Sequence, residues 1–313
     1  MRKICCLLLA ISLLLAGCSL NDIIFGSETA PQGEGQEVEE MPLPDDFDSG
    51  PECLDGNCEE ETPSALEVTI LRLTVPEGYT LARIGMRLEE MGVCTVAEFI
   101  EAAETGDYSG YKLFNLEKPD TNRCYELEGY LFPDTYEIYS NESPGAIIRR
   151  MLDRFEQVIT AEMLQQAEEK GYTLDEILAI ASIIEKEAFG PEHMPMISSV
   201  IYNRLEIGMR LQCDVTIIYV EGAIKPFITG DKNRYNEDYN TFKCAAIPAG
   251  AICNPSIAAI ESALNPAESE MFFFVTDADK NYYFSETYEK HLMRIADIDK
   301  AKRAAEASSG MAS

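Results

Sequence analysis

The run Thr173-Leu-Asp-Glu-Ile-Leu-Ala-Ile-Ala-Ser-Ile-Ile-Glu-Lys-Glu-Ala188 constrains this chain more than any other stretch. Thr173 and Glu176 have capping-box spacing, and Asp175 adds a second negative charge at the positive end of the helix dipole. Beyond the cap the segment is apolar almost all round, which predicts a helix buried within a domain. Glu185 falls inside that apolar stretch. At about 100° per residue, Leu174, Leu178 and Ala181 lie within roughly 40° of it on the helical wheel, and Glu187 lies nearly opposite. A carboxylate on an apolar face is unfavourable unless it is paired, protonated or useful. Desolvation raises its pKa, which suits a general acid working near neutral pH. The other reading is a structural Glu bonded to a neighbouring Arg or to backbone. On this reasoning Glu187 is solvent-facing or salt-bridged.

The chain has 313 residues, enough for two folded domains after removal of a processed segment. Its 55 acidic and 25 basic residues give a formal net charge of -30, which argues against nucleic acid and against adhesion to an anionic membrane surface. Arg2 and Lys3 precede the apolar run Ile4–Leu15, which is too short to span a bilayer and reads as a signal-peptide core. The following Leu15-Ala16-Gly17-Cys18 resembles a bacterial lipobox, with residues 1–17 removed and Cys18 lipidated. An ordinary signal peptide is the alternative. A lipidated terminus implies an anchor on the extracytoplasmic face of the cell membrane. Residues 18–64 are acidic, Pro- and Gly-rich and poor in aromatics, so they are expected to form a disordered, extended tether.

Of the ten cysteines, Cys5 and Cys6 leave with the signal and Cys18 carries lipid, so seven remain. Cys53 and Cys58 could bridge within the tether, and buried free thiols are the default for several others. No spacing is the Cys-x-x-Cys of zinc sites, and His193 and His291 are the only histidines. No metal and no cofactor are expected.

Order is expected from about residue 65. A strand over Val68–Val75, helices over Thr80–Met91 and Val96–Glu104, and a strand near Leu127–Tyr139 make a βααβ unit over residues 65–140. This order resembles the small LysM-like module that binds peptidoglycan. A purely structural subdomain fits the same residues. Helices are then expected over Ala146–Ile159, Thr160–Lys170, Met196–Leu205 and Ile257–Leu264. A hairpin over Met271–Thr276 and Asn281–Ser285 precedes a last helix over Thr287–Asp299. The fold class is α+β, with a larger catalytic domain over residues 141–300 and a flexible tail over 301–313.

Several blocks taken together resemble the endolytic murein transglycosylases of the YceG-like family. They are Leu127-Glu-Gly-Tyr-Leu-Phe-Pro-Asp-Thr-Tyr136, Ala181-Ser-Ile-Ile-Glu-Lys-Glu187, and Asn203-Arg-Leu205 with Gly208-Met-Arg-Leu-Gln212, Asp214 and Thr216. Tyr239-Asn-Thr241, Pro248, Gly250 and Asn254-Pro255 follow in the same order, and the resemblance runs from about Leu66 to Ile298. It implies cleavage of the β-1,4 bond between N-acetylmuramic acid and N-acetylglucosamine within glycan strands. The sugar's own 6-hydroxyl closes a 1,6-anhydro ring, so no water is consumed and one raised-pKa carboxylic acid suffices. The family motif implies that Glu185 is that acid.

Gln212, Asp214 and Thr216 alternate, so an extended strand would turn all three to one face, toward a sugar or into a hydrogen-bonded network. Tyr239 and Asn240 are candidates for stacking and for an N-acetyl contact, though Tyr-Asn is also turn chemistry. Asn254 either touches sugar or caps the next helix, and Arg204 and Arg210 are read as structural. Cys213, Val215, Ala249 and Ser256 depart from the family's usual Ser, Pro, Pro and Gly. Two other classes remain open: a muramidase with Asp214 as second carboxylate, and a non-catalytic lipid-anchored wall-binding protein. The expected partners are peptidoglycan strands, the membrane through the lipid, and proteins of cell-wall synthesis.

Overall fold

The computed structural model describes residues 68–309 apart from 117, 120 and 245, with side chains described as far as 304. The expectations for the signal segment, Cys18, the tether with Cys53 and Cys58, and residues 310–313 lie outside the described residues.

Alternating apolar positions make the first strand, β1 (Ile70–Thr74), and its antiparallel partner β2 (Thr135–Tyr139), registered from Ile70 opposite Tyr139 to Thr74 opposite Thr135. Leu73, Tyr136 and Ile138 turn inward and are buried. Between the strands run α1 (Leu81–Glu90), capped by Thr80, and α2 (Val96–Thr105), opened by a Thr95–Glu98 capping box. The two helices pack together, with Gly85 against Val96 and Phe99 where a larger residue would be tight. The expected βααβ order is present.

The second strand is shorter than its sequence suggests, because residues 125–134 form turns instead of extended chain. Gly129 explains the difference. It holds φ +93, and a Cβ there would lie 2.6 Å from the Ala251 Cβ, so neither a straight strand nor a larger residue fits. This turn buries Tyr125, Leu127, Tyr130 and Leu131 in the core.

Three capped helices follow: α3 (Pro144–Val158), α4 (Ala161–Glu169) and α5 (Leu174–Glu187). The Thr173–Glu176 capping box closes in both directions as expected, and from Leu174 to Ile184 every residue of α5 except Glu176 is buried. A 3-10 turn at Pro191–His193 leads into α6 (Met194–Glu206). Next come α7 (Val215–Tyr219), continued by a wide π turn over Val220–Ile224, and the short α8 (Asn236–Tyr239). The helix α9 (Ile257–Leu264) packs along α5, which also touches α4, α6 and α7. α5 is therefore enclosed from several sides, as its all-round apolar sequence requires.

A hairpin of β3 (Phe273–Thr276) and β4 (Tyr282–Ser285) closes the fold, and α10 (Tyr288–Ser309) packs on it. Asp277 Oδ1 accepts from the backbone N–H of Asp279 and Asn281 to build the hairpin turn. The last helix runs ten residues beyond the expected Asp299, through an Ala-rich segment of high helix propensity. From Val68 onward the chain falls in one compact unit with a mixed α+β composition.

Candidate active site

Glu185 and Glu187 leave the end of α5 in different directions and meet different surroundings. Glu185 is tied to the start of α9. Its Oε2 accepts from the Ser256 N–H at 3.0 Å and from Ser256 Oγ at 2.6 Å, while Ser256 Oγ accepts from the Ala259 N–H at 3.1 Å. It thus extends the N-cap of α9, where the helix dipole favours a negative charge. This is the structural alternative foreseen for Glu185, with Ser256 as its partner instead of an Arg.

Glu187, the last residue of α5, is not solvent-facing as expected. The residue keeps partial exposure, but its carboxyl end is walled in beside Cys213, Asp214 and Arg204. Burial pushes its pKa up to about 7, and the Asp214 charge pushes the same way; a hydrogen bond with Cys213 and the Arg204 charge pull it down less strongly. A helical wheel records only a residue's own helix. The groups beside Glu187 come from α6 and the turn that follows it, which the wheel cannot see.

Three elements hold this surrounding in place. Arg204, nearly buried on α6, donates from Nε to the Phe272 carbonyl at 2.6 Å and from Nη1 to the Leu211 carbonyl. It thereby fixes the 211–214 turn beside α5. Tyr282 on β4 donates its hydroxyl proton to the Glu187 carbonyl and accepts from the Phe189 N–H at 3.0 Å. The ring of His193 lies 4.5 Å from that of Tyr282. Arg204 was legible as a structural arginine; Tyr282 carried no sequence signal, because its strand reads only as a closing hairpin.

The alternating strand expected for Gln212, Asp214 and Thr216 does not form. Gln212 adopts φ +52, breaking the extended path, and α7 begins at Val215. Gln212 and Asp214 are exposed, whereas Thr216 is fully buried. Thr216 Oγ1 donates to the Cys213 carbonyl at 2.8 Å and lies 3.1 Å from Thr241 Oγ1, and Thr241 Oγ1 accepts from the Cys213 N–H at 2.9 Å. This threonine pair shapes the turn that presents Cys213 and Asp214 to Glu187.

Tyr239 is fully buried and gives no stacking surface to a sugar. Its hydroxyl accepts from the Cys124 N–H at 3.2 Å, and its ring packs 5.2 Å from Tyr219. Asn240 is half-buried, its Oδ1 taken by the Phe242 N–H. Arg210 donates to the Phe242 carbonyl.

Asn254 is fully buried and bolts the turn at 127–131 to the segment before α1. Its Oδ1 accepts from the Gly129 and Leu131 N–H groups at 3.0 and 2.9 Å, and its Nδ2 donates to the Tyr79 carbonyl at 3.0 Å and to Glu128 Oε1 at 3.2 Å. Glu128 also accepts from the Leu81 N–H and the Tyr219 hydroxyl, and burial pushes its pKa up to about 8. Asn254→Ala strands several of these buried groups, so it is expected to lower unfolding free energy by about 3 kcal/mol in a urea melt. A loss below about 1 kcal/mol would show that the bolt is dispensable.

Among the described residues no three His, Cys, Asp or Glu side chains are grouped to hold a metal ion. The arrangement at Glu187 is one that can move a proton: a carboxyl pushed up to about 7, a neighbouring carboxyl at Asp214, and a rigid frame beneath both.

A mixed α+β domain with a perturbed acid at the end of a buried helix is the class that fold and site define. Residues 59–297 match the model of the YceG-like family, and the chain belongs to that family. It is 29% identical over 254 residues to the endolytic murein transglycosylase of Streptococcus pneumoniae strain D39, covering 75% of this chain and 46% of that protein. The Bacillus subtilis endolytic murein transglycosylase is 28% identical over 229 residues, covering 70% of this chain and 63% of that protein. The chain therefore spans roughly half to under two thirds of the length of these relatives. A crystal structure of a yceG-like protein from Listeria monocytogenes superposes with a TM-score of 0.62 at 31% identity, over 71% of this chain and 75% of that one.

Proposed function

We infer that this protein is an endolytic lytic transglycosylase of peptidoglycan, with Glu187 as its acid and base. The observation that carries the reading is the match to the YceG-like family over residues 59–297. The family motif points to Glu185 as the acid, and the Glu187 carboxyl, pushed up to about 7 by burial and the Asp214 charge, supports Glu187 in that role instead. Protonated Glu187 gives its proton to the glycosidic oxygen. The resulting carboxylate then takes the proton of the muramyl 6-hydroxyl as that oxygen attacks C1 and closes the 1,6-anhydro ring. The proton count balances without water, so the enzyme returns to its starting state.

The direction of the Glu187 shift fixes the pH dependence. The acid must begin protonated, and it loses its proton as pH rises through about 7. The value of kcat/KM is expected to be level below that point and to fall about tenfold per unit above it. A profile that rises through neutrality would remove Glu187 from the acid role.

The exposed Asp214 beside Glu187 supports a second reading, a muramidase in which Asp214 activates water. Mass spectrometry of the products from peptide-free glycan strands separates the two. Anhydro-muramyl ends support the transglycosylase, and reducing ends support the hydrolase.

The antiparallel β1–β2 pair with α1 and α2 between its strands supports a LysM-like, glycan-binding role for that part of the chain. The lipobox-like Leu15–Cys18 supports a lipid anchor on the extracytoplasmic face of the membrane. From there the acidic segment would give the enzyme reach to glycan strands, whose elongation it would terminate beside the wall-synthesis proteins.

A further inference from the structure

Phe189 stands two residues beyond Glu187 with 60% of its surface exposed, among the most exposed large apolar side chains of the described residues. Unlike a scattered surface residue, it belongs to a cluster. Its ring lies 6.1 Å from Tyr282, which in turn lies 4.5 Å from His193, and the Lys280 ammonium sits 5.1 Å from its centre. Its backbone N–H is held by the same Tyr282 hydroxyl that binds the Glu187 carbonyl, so the backbone that carries the ring is tied to the end of α5. Lys280 is in a left-handed conformation at φ +65, in the hairpin turn that carries it to this spot.

An exposed aromatic ring two residues from the proposed acid, on backbone tied to it through Tyr282, suits the apolar face of a pyranose. The neighbouring cation suits a carboxylate on the same sugar, and it stands out in a chain of net charge -30. Resting on the reading of Glu187 given above, we propose that Phe189, backed by Tyr282 and flanked by Lys280, is a binding subsite for a muramic acid residue of the glycan strand. The sugar ring stacks on Phe189, and its lactyl carboxylate meets Lys280.

The chain contains no tryptophan, so Phe189→Trp installs a single fluorescent reporter at the subsite. In a Phe189→Trp/Glu187→Gln double variant, peptide-free glycan strands are expected to shift and saturate the emission. In otherwise unaltered enzyme, Phe189→Ala is expected to raise KM about tenfold with kcat and melting temperature nearly unchanged, and Phe189→Trp to restore KM. Lys280→Gln is expected to raise KM roughly threefold at low salt, with the difference closing as salt screens the charge. Emission indifferent to strands that the unaltered enzyme cleaves, or a Phe189→Ala KM equal to that of the unaltered enzyme, overturns the subsite while leaving the catalytic reading intact. Strands that shift the emission but are never cleaved by the unaltered enzyme support the subsite and overturn the catalytic reading instead.

Discussion

Glu187→Gln is expected to lower glycan cleavage by about 10³-fold, while Glu185→Gln stays within about tenfold of the unaltered enzyme. The amide keeps the size of the carboxyl but can neither give nor take the proton, so the loss falls on the chemical step. KM should change little. At position 185 the amide oxygen can still accept from Ser256, whose N–H and hydroxyl both bond Glu185 Oε2. The effect there should be seen in stability: Glu185→Ala, which removes the acceptor altogether, is expected to cost about 1 kcal/mol as the cap of α9 weakens. The measurement is the yield of anhydro-muramyl ends from purified strands over a fixed time, with thermal melts of each variant. The reverse pattern, an inactive Glu185→Gln beside an active Glu187→Gln, would return the acid role to Glu185 and leave the Glu187 pKa without a catalytic purpose.

Much of the frame was legible because it follows from local rules. Thr173 and Glu176 announce a capping box, and it forms; Ser256 starts α9 where the expected helix begins. The βααβ order and the closing hairpin follow from the spacing of apolar residues, and the Asp277–Asn281 hydrogen bonds close the hairpin turn. The site was less legible, because its chemistry depends on groups brought from far along the chain. Alternation at Gln212, Asp214 and Thr216 reads as a strand, yet the left-handed Gln212 and the Thr216–Thr241 hydrogen bonds impose a turn into a helix. Tyr239 and Asn254 belong to motifs, but burial turns both to architecture. The two glutamates are the clearest case. Periodicity placed Glu185 on the apolar face correctly, but what that face meets at the helix end is the cap of α9. Burial and the charge of Asp214, both from outside its own helix, push up the pKa of Glu187.

Asp175→Ala is expected to destabilise the fold by about 3–5 kcal/mol, the largest stability effect of any single substitution considered. Asp175 was recognisable as a helix-dipole charge, but its main partner is Arg123, more than fifty residues earlier. The pair is bidentate, with Arg123 Nη1 and Nη2 donating to Oδ1 and Oδ2 at 2.7 and 2.6 Å, and the Tyr130 hydroxyl adds a third bond at 2.9 Å. Burial alone would lower the pKa of Arg123, but the bonds and charge of Asp175 outweigh it and the net shift is upward. Removing Asp175 leaves a buried guanidinium without its bidentate partner, with the Thr121 hydroxyl at 3.2 Å and the more distant Glu126 carboxylate at 4.0 Å remaining beside it. Thr121 Oγ1, close by, donates to the Ala249 carbonyl, and Ser182 Oγ on α5 accepts from the Ile252 N–H, so the pair anchors the same loop that α5 holds further along. Replacing both partners by apolar residues of similar volume, as in Arg123→Met/Asp175→Leu, should cost less than Asp175→Ala alone, because no charge is then left buried. Urea midpoints of the three variants test this. A single variant within about 1 kcal/mol of the unaltered protein would mean that water reaches Arg123 and that the pair is not the clamp holding the first turn of α5 to the 121–131 segment.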